Sequence, residues 1–338
     1  MIEQIKNAIV EELIYYKVEL DNPDYTPLAN TYSPDEEEGE IIKKIFLKPF
    51  TRIAETYEFQ HSIDIDLNPL YCICNNIFEE ASLEGHTKDV LTHLLEVSSH
   101  GNIRNGDLFI IRYSGVTVDE ADYQAVGIYK VEQKESFLET GAHGRLEFKQ
   151  GIGANKLDKA CLVIDTDAPF TIQLIDNVSK ETNFWKKEFV NVGLKQDHVN
   201  ATNQVISLTK SFITQQIPHE YEVDKTDQID LLNRSSAYFK MNDQFKKEEF
   251  EENVFQDPNM IASFRNFENE QREELEVAPR EEFTISKPAV RNSSKVFKSI
   301  LKLDKNFHIY IHGDKSKIKK GVDESGRKFY QIFYEEER

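Results

Sequence analysis

A basic segment rich in aromatic residues lies near the C-terminal end of the sequence. Residues 291–330 contain eleven Lys or Arg residues and four acids, a local charge of +7 in a chain whose net charge is -19. Residues 1–290 therefore carry -24. Lysine and arginine neutralise phosphates, and aromatic rings stack on bases. This combination indicates a surface for a polyanion or for an acidic protein partner.

The predicted phosphate-contacting residues lie on and between two strands, at 307–312 and 328–334. They are Lys315, Lys317, Lys319, Lys320, Arg327 and Lys328, with Tyr310 and Tyr330 available for stacking. Strand alternation places His308, Tyr310 and His312 on one face, with Ile309 and Ile311 pointing inward. The two histidines would be too far apart to share a metal ion, so we interpret them as part of a polar face.

Glu147-Phe148-Lys149 resembles the acid-x-Lys part of magnesium-dependent nucleases. That chemistry needs a carboxylate on the metal and a lysine near the attacking water or the scissile phosphate. Asp107 or Asp122 would have to supply a second carboxylate, and nothing in the sequence selects between them. With sixty acidic residues in the chain, such a tripeptide is expected by chance several times. A nuclease using Glu147 and Lys149 is therefore an alternative and not the leading hypothesis.

Cysteine and histidine patterns do not predict a metal site. Cys72 and Cys74 have no second cysteine pair, and residues two apart on a helix point in different directions. His86, His93 and His100 are spaced by seven and are expected on the surface. The sequence has no phosphate-binding glycine loop, nucleophile elbow or zinc-protease motif. We therefore predict no cofactor, no metal and no enzymatic activity.

Composition favours a folded cytoplasmic protein. Apolar residues make up 39% of the chain and 30% of residues are charged, which is ordinary for a globular protein. There is no apolar run long enough to span a membrane and no secretory signal at the start. Three cysteines are too few for a disulfide framework. The acidic total argues against wholesale coating of nucleic acid and concentrates anion binding in the basic segment.

The hydrophobic pattern predicts an α+β fold in which N-terminal helices pack on an antiparallel sheet. Helices are predicted at 39–57, 68–80 and 87–98, whereas residues 2–19 fit either a helix or a strand. After residue 106 the period changes, and five strand candidates follow before residue 177 without a helical pattern between them, which indicates an antiparallel meander. Helical periodicity returns at residue 183, and Asp257 with Pro258 forms a predicted helix start.

These elements divide the chain into four predicted parts. Residues 1–180 form an α+β domain with the meander, and residues 181–275 form an acidic helical region. Residues 276–290 are predicted to be a linker, because prolines are present and large apolar residues are few. Residues 291–338 form a small basic β module.

Several segments together resemble the bacterial nucleoid-associated protein family of the NdpA or YejK type. The matching segments run in order through most of the chain: GDLF at 106–109, YQAVGIYK at 123–130, KLDKA at 156–160, FW at 184–185, FV at 189–190, HIYI at 308–311 and FYQI at 329–332. The resemblance implies a cytoplasmic protein found with the bacterial chromosome, which binds DNA or nucleoid components. It implies no catalytic residues.

The leading hypothesis is thus a non-catalytic nucleoid protein that contacts DNA phosphates through its basic C-terminal β module. The alternative is an adaptor whose acidic region, residues 220–282, binds a chromosome-associated protein while the basic tail folds back on the body. Both place the protein in the cytoplasm at the nucleoid, with no membrane partner. The sequence leaves open whether the protein forms a homo-oligomer, and whether DNA or RNA is preferred.

Overall fold

The computed structural model describes residues 2–19, 28–98, 104–141, 144–153, 157–177, 184–272, 277–293, 300–311 and 317–336. The chain divides into two compact units, unit 1 (residues 1–195) and unit 2 (residues 196–338). Strands and helices are both abundant, so the fold class is α+β, as predicted. Within the described ranges, no helix is long and apolar enough to cross a membrane.

Unit 1 combines a large sheet with short helices. Its strands are β1 (Ile2–Gln4), β2 (Ile9–Val18), β3 (Asn30–Tyr32), β4 (Tyr57–Phe59), β5 (Gly106–Val118), β6 (Ala121–Val131), β7 (Glu135–Thr140), β8 (Leu146–Gly151), β9 (Lys159–Ile164), β10 (Thr171–Asp176) and β11 (Val192–Leu194). Its α-helices are α1 (Glu36–Ile42), α2 (Pro69–Glu80) and α3 (Thr87–Val97). Tighter or wider helical turns occupy Lys43–Leu47, Lys48–Arg52, Ile65–Leu67 and Phe184–Val190.

The main sheet of unit 1 is antiparallel, and its central strands are buried on both faces. Its strand order is β11-β4-β10-β9-β6-β5-β2-β3, and β1 pairs with the end of β5. In β9 every residue is buried. Cys161 and Val163 belong to the core that contains α2 and α3, whereas Leu162 and Ile164 belong to a second core around Phe46. A strand covered on both faces reads as a continuous apolar run, which is the pattern of this segment.

The structure confirms the predicted helices at 68–80 and 87–98 and the antiparallel strands after residue 106. Residues 2–19 form strands, since β2 pairs with β5 along most of its length. The helix predicted over 39–57 is α-helical only at its start: α1 ends at Ile42, the backbone stays helical through the wider turn Lys43–Leu47 and the 3₁₀ turn Lys48–Arg52, which contains Pro49, and residues 53–57 are not helical. Proline has no backbone N–H and ends regular helical hydrogen bonding. An unpredicted strand, β7, pairs with β8 in a separate two-stranded sheet.

In the residues that the structure describes, unit 2 is helical with three small two-stranded sheets. Its helices are α4 (His198–Ser211), α5 (Ile217–Glu220), α6 (Lys225–Met241), α7 (Lys247–Val254), α8 (Pro258–Gln271) and α9 (Lys287–Asn292), with a wider helical turn at Phe212–Gln216. Its strands are β12 (Gln244–Lys246), β13 (Glu282–Thr284), β14 (Ile300–Leu303), β15 (Phe307–Tyr310), β16 (Ile318–Val322) and β17 (Lys328–Ile332). The predicted start of α8 is confirmed, because the Asp257 side chain accepts a hydrogen bond from the Asn259 N–H at 2.7 Å.

The core of unit 2 is a cluster of phenylalanines. Phe212, Phe239, Phe250 and Phe264 are fully or almost fully buried in it. Phe283 on β13 stacks on Phe245 of β12 with ring centroids 4.6 Å apart. Aromatic pairs at this spacing contribute beyond their buried area.

The segment that we predicted to be a linker, residues 276–290, carries regular secondary structure and buried side chains. It contains β13 and the start of α9, and Ala289 and Val290 are buried. The boundary between the two units lies at residues 195 and 196 rather than near 180, because the helical turns Phe184–Val190 and strand β11 join the core and sheet of unit 1.

Candidate nucleic-acid interface

The basic segment forms two β-hairpins that share a small apolar core with α6. The first hairpin pairs β14 with β15, and the second pairs β16 with β17. Leu301 and Ile311 are buried against Ile229 of α6, and Ile318 and Tyr330 pack on the same cluster. Each hairpin therefore has an inner face, which meets this core, and an outer face.

Strand alternation fixes the outer face of the first hairpin. Leu301 pairs with Ile309 on the inner face, so Lys302 and its partner His308 lie on the other side. Tyr310 shares that outer face and is 58% exposed. The structure confirms that Ile309 and Ile311 point inward, away from His308 and Tyr310. His312 lies outside the described residues.

The same alternation assigns the side chains of the second hairpin. Lys320 pairs with Tyr330 on the inner face, whereas Lys319 pairs with Gln331 on the outer face. The Lys319 ammonium lies 5.4 Å from the centroid of the Phe333 ring, a cation–π contact that holds the charge beside an exposed aromatic surface. The outer face thus presents a lysine and aromatic rings together.

Unlike Tyr310, Tyr330 lies on the inner face of its hairpin. It is half-buried, and burial together with the nearby carboxylate of Asp224 raises the pKa of its hydroxyl. Burial alone would raise the pKa of the Asp224 carboxyl, but hydrogen bonds from Thr226 and Asp227 lower it. The nearby ammonium of Lys320 also helps to lower this pKa. These two predicted site residues therefore face α6 and its acidic N-cap.

Two other predicted residues already have acidic partners inside the segment. Lys317 forms an ion pair with Glu335 at 2.8 Å, and Arg327 forms one with Asp323 at 2.7 Å. Hydrogen bonds from Ser325 and Arg327 hold the pKa of Asp323 at about 2. Lys328 is exposed at the start of β17, and Lys315 lies outside the described residues.

Sequence reasoning missed several members of the outer faces. Lys302 stands opposite His308 on the first hairpin, and Phe329, 44% exposed, shares the outer face of the second hairpin with Lys319, which contacts Phe333, 43% exposed. Phe307 is 61% exposed but pairs with Leu303 on the inner side of its hairpin. The strand β14, which carries Lys302, was not predicted. Its alternation of Ile300, Leu301, Lys302 and Leu303 is short, and the register with β15 was needed to assign its faces.

The nuclease alternative gains no support from the geometry. Lys149 and Glu147 lie on the exposed strand β8, and Lys149 pairs with Glu147 at 3.3 Å and also with Glu139. Asp107 pairs with Lys134 at 3.1 Å, and Asp122 accepts a hydrogen bond from Thr117. In the part of the chain that the structure describes, no group of three or more His, Cys, Asp or Glu residues is arranged to hold a metal ion.

Cys74, His86 and His93 make packing or polar contacts within unit 1. Cys74 is buried in the core beneath the sheet, and burial raises the pKa of its thiol. His86 contacts Glu80 at 2.9 Å near the surface. The expectation that His93 lies on the surface is wrong: it is buried, stacks on Phe189 and is within hydrogen-bond distance, 2.8 Å, of the Phe189 carbonyl. His100 falls outside the described ranges.

Comparison with known proteins agrees with the resemblance drawn from the sequence segments. A family model described as "Nucleoid-associated protein YejK" matches residues 17–337, nearly the whole chain. No curated protein matches the chain. The family match spans both units and includes both C-terminal hairpins, so the chain belongs to the family of nucleoid-associated proteins of the YejK type.

Proposed function

We propose that this chain is a non-catalytic, cytoplasmic nucleoid protein that binds DNA through the outer faces of its two C-terminal hairpins. The proposal rests on the combination of exposed lysines with exposed aromatic rings on those faces. Lys302, His308 and Tyr310 supply it on the first hairpin, and Lys319 with Phe333 supplies it on the second. The family membership supplies the setting.

The chemistry of these faces suits phosphate better than base edges. Lysine acts as a point charge toward phosphate oxygens, and phosphate contacts position a protein without reading sequence. A two-stranded hairpin with short strands offers few side chains for a groove, and exposed rings stack on any unpaired base. The binding is therefore expected to be weakly sequence-specific.

Lys317 and Arg327 are available to DNA only in exchange for their acidic partners. Their ion pairs with Glu335 and Asp323 are largely exposed, and exposed pairs of this kind contribute little stability. A phosphate of a duplex, which carries dense negative charge, would compete with these single carboxylates. We place Lys319, together with Lys302, at the centre of the proposed site, which also includes Lys315, Lys317 and Arg327. Lys320 and Lys328 lie on the inner side of the second hairpin and are expected to contribute less.

A salt titration of binding to duplex DNA, single-stranded DNA and RNA tests the proposal. If about five phosphates are neutralised, the logarithm of the affinity falls with the logarithm of the salt concentration with a slope near -4.5. Absence of duplex binding at low salt, or binding that salt does not weaken, would contradict it.

The neighbouring lysines of β16 provide a matched pair of variants. Lys319→Gln removes an outer charge, so the salt slope for duplex DNA should become shallower by about 0.9. Lys320→Gln removes the same charge from the next residue, on the inner face, and should change the slope less. Equal effects of the two substitutions would show that the outer face is not the contact surface.

The adaptor alternative is favoured by a separate observation in unit 2. Helix α7 presents three exposed acids, Glu248, Glu249 and Glu252. The packing of the basic hairpins on α6, with Lys320 near Asp224, also matches a basic tail that folds back on an acidic region. A basic chromosome-associated protein would be the partner of such a surface.

Two sets of substitutions separate the candidates in an assay of binding to isolated nucleoids. Glu248→Gln/Glu249→Gln/Glu252→Gln should release the protein from isolated nucleoids if the acidic helix is the attachment surface. Lys302→Gln/Lys319→Gln should release it if the hairpins contact DNA. Deleting residues 291–338 is less informative, because it would also remove part of α9 and the core shared with α6.

A further inference from the structure

A cleft of about 730 Å³ lies at one end of the main sheet of unit 1, beside β4 and β11. Its walls come from four separate parts of the chain: the segment 59–65, helix α2, the turn before β10 and the residue before β11. Clefts of this volume are typical of small-molecule sites in proteins. The C-terminal hairpins belong to the other unit, so the function proposed above leaves this cleft unused.

A fully buried asparagine holds the backbone on two sides of the cleft. The Nδ2 atom of Asn68 lies within hydrogen-bond distance of three carbonyl oxygens: those of Gln60 at 3.0 Å, Val190 at 3.3 Å and Asn191 at 3.1 Å. The Gln60 N–H also donates to the Asn191 carbonyl at 3.0 Å. A backbone fixed in this way positions its side chains before a ligand arrives, as a binding site requires.

Two residues at the cleft have backbone conformations that side chains rarely adopt. Asn191, which lines the cleft, has a φ of 54°, and Phe170, which directly follows Pro169 of the wall, has a φ of 67°. A bulky residue in the left-handed region costs free energy and persists only where its surroundings hold it there. Such residues cluster at ligand sites, so their presence on two sides of one cleft points to binding.

Polar side chains of the wall are left to water or to a ligand. Among the described residues, the side-chain amides of Gln60 and Asn191 have no hydrogen-bond partner. The Nδ1 atom of His61 accepts from two backbone N–H groups of the turn that follows it, at 3.3 and 3.4 Å. In the neutral ring the proton is therefore on Nε2, which can donate. The cleft thus offers two amides, each with a donor and an acceptor in one plane, and one further donor.

The rest of the wall is aromatic or apolar. The ring of Tyr71 is half-buried, and its centroid lies 5.8 Å from that of Phe59 and 5.4 Å from that of Phe170, so the orientation of the ring is fixed. Burial and the nearby carboxylate of Asp66 raise the pKa of the Tyr71 hydroxyl, which therefore stays protonated. The described lining residues include no aspartate, glutamate, lysine or arginine.

We propose that this cleft binds the base of an uncharged nucleoside, with adenine preferred. Aromatic side chains stack on the flat face of a base, and a planar amide matches the neighbouring donor and acceptor of adenine. Tyr71 supplies the ring, and Gln60 and Asn191 supply the amides. The wall has no cation for a phosphate, and the carboxylate of Asp66 near Tyr71 repels one. An uncharged nucleoside should therefore bind better than a nucleotide.

Other ligands match the wall less well. A carboxylate or phosphate would find no cation among the described lining residues, and an amine would find no carboxylate there. A purely apolar ligand would cover the amides of Gln60 and Asn191 without giving them partners, which costs free energy. A free sugar has hydroxyl groups but no planar ring to stack on Tyr71. An aromatic side chain of a protein lacks the paired donor and acceptor edge of adenine.

Isothermal titration calorimetry of the full chain with adenosine tests the proposal. The dissociation constant should be below about 1 mM, as for a small ligand that makes both stacking and hydrogen bonds. Adenosine monophosphate should bind more weakly, and ribose, which has no base, should give no heat of binding. In saturation-transfer NMR, the protons of the adenine ring should receive more magnetisation than those of the ribose.

Two substitutions in the wall remove different parts of the site. Tyr71→Ala removes the stacking ring and should weaken adenosine binding at least about fivefold. Asn191→Gly removes one amide and should weaken binding by a similar factor, and glycine adopts the backbone conformation of this position without strain. Tyr15→Ala is the matched control, since Tyr15 is an exposed tyrosine on β2 of the same sheet and does not line the cleft. Circular dichroism of each variant verifies the fold.

Four results would overturn the proposal: no binding of adenosine at millimolar concentration, ribose binding as well as adenosine, tighter binding of adenosine monophosphate, or unchanged binding by both Tyr71→Ala and Asn191→Gly. Equal weakening by Tyr15→Ala would also contradict it. A single-stranded adenine hexanucleotide distinguishes the source of the base. In a chain that carries Lys302→Gln/Lys319→Gln, tighter binding of the hexanucleotide that Tyr71→Ala abolishes would assign the cleft to a strand instead of a nucleoside. The same double variant should bind adenosine normally, so the cleft and the DNA surface can fail separately.

Discussion

At the scale of single residues, the most unusual feature is a lysine and a glutamate buried together at the end of β6. The side chains of Lys130 and Glu132 are fully buried, and their charged atoms lie 2.7 Å apart. Lys130 also donates to the Arg104 carbonyl at 2.5 Å, and Lys159 approaches the same glutamate at 3.9 Å. Burial lowers the pKa of Lys130, and the carboxylate of Glu132 opposes part of that shift.

Breaking this pair should be costly, whereas replacing both members should not be. Lys130→Met leaves Glu132 buried without its nearest cation and is expected to lower the free energy of unfolding by about 3–5 kcal/mol. Lys130→Met/Glu132→Leu should recover most of that loss, since an apolar pair of similar volume avoids desolvating two charges. Denaturant unfolding of the wild-type chain and both variants measures these values, and a double variant no more stable than the single one would contradict the argument.

The same pair gives the stability of the chain a defined dependence on pH. Because the pKa of Lys130 is lowered in the folded state, the unfolded state binds this proton more tightly. Stability from this group therefore rises as the pH increases from the folded pKa toward the ordinary lysine value.

No local pattern could have predicted this pair, since Lys130 and Glu132 sit in an ordinary strand pattern and their burial depends on residues distant in the chain.

At the scale of elements, prediction succeeded where a pattern was long and failed where it was short. The stripes of Ile73 with Ile77 and of Val90 with Leu94 place α2 and α3 correctly. Strands β12 and β13 have three residues each, too few for an alternation to be read, and their pairing joins segments nearly forty residues apart. The linker prediction at 276–290 rested on low apolar content, whereas Phe283, Ile285 and Val290 of that segment are buried in the core.

The attachment of the basic hairpins to α6 gives an element-scale prediction. Leu301 is 3% exposed in the small cluster with Ile229 and Ile311. Leu301→Ala should cost about 2–5 kcal/mol of the stability with which the hairpins are held, and it should speed amide hydrogen exchange in 300–311 and 317–336. DNA affinity should fall with it, because the lysines lose their common scaffold.

Val322→Ala is the control for this loss of packing. Val322 lies on β16 of the second hairpin but is 62% exposed, so its truncation should change stability by less than about 0.5 kcal/mol. If Leu301→Ala leaves hydrogen exchange in the hairpins unchanged, they are not held by this core.

At the scale of the whole molecule, the two units divide the charge unequally. Unit 1 carries -15 and unit 2 carries -4, and the latter includes the segment of +7. The chain with this uneven charge distribution belongs to a family of nucleoid-associated proteins.

The charge polarity predicts how unit 2 alone, residues 196–338, should bind. Against a short duplex that admits a single contact, this fragment should bind more tightly than the full chain at low salt, because the -15 of unit 1 no longer repels the phosphates. The difference should shrink as salt rises, since the screening length falls from about 30 Å at 0.01 M to about 10 Å at 0.1 M. Fluorescence anisotropy of a labelled duplex over that salt range measures the affinity of the fragment and that of the full chain. Weaker binding by the fragment at low salt would mean that unit 1 contributes directly to the DNA contact, and that the basic hairpins are not sufficient for it.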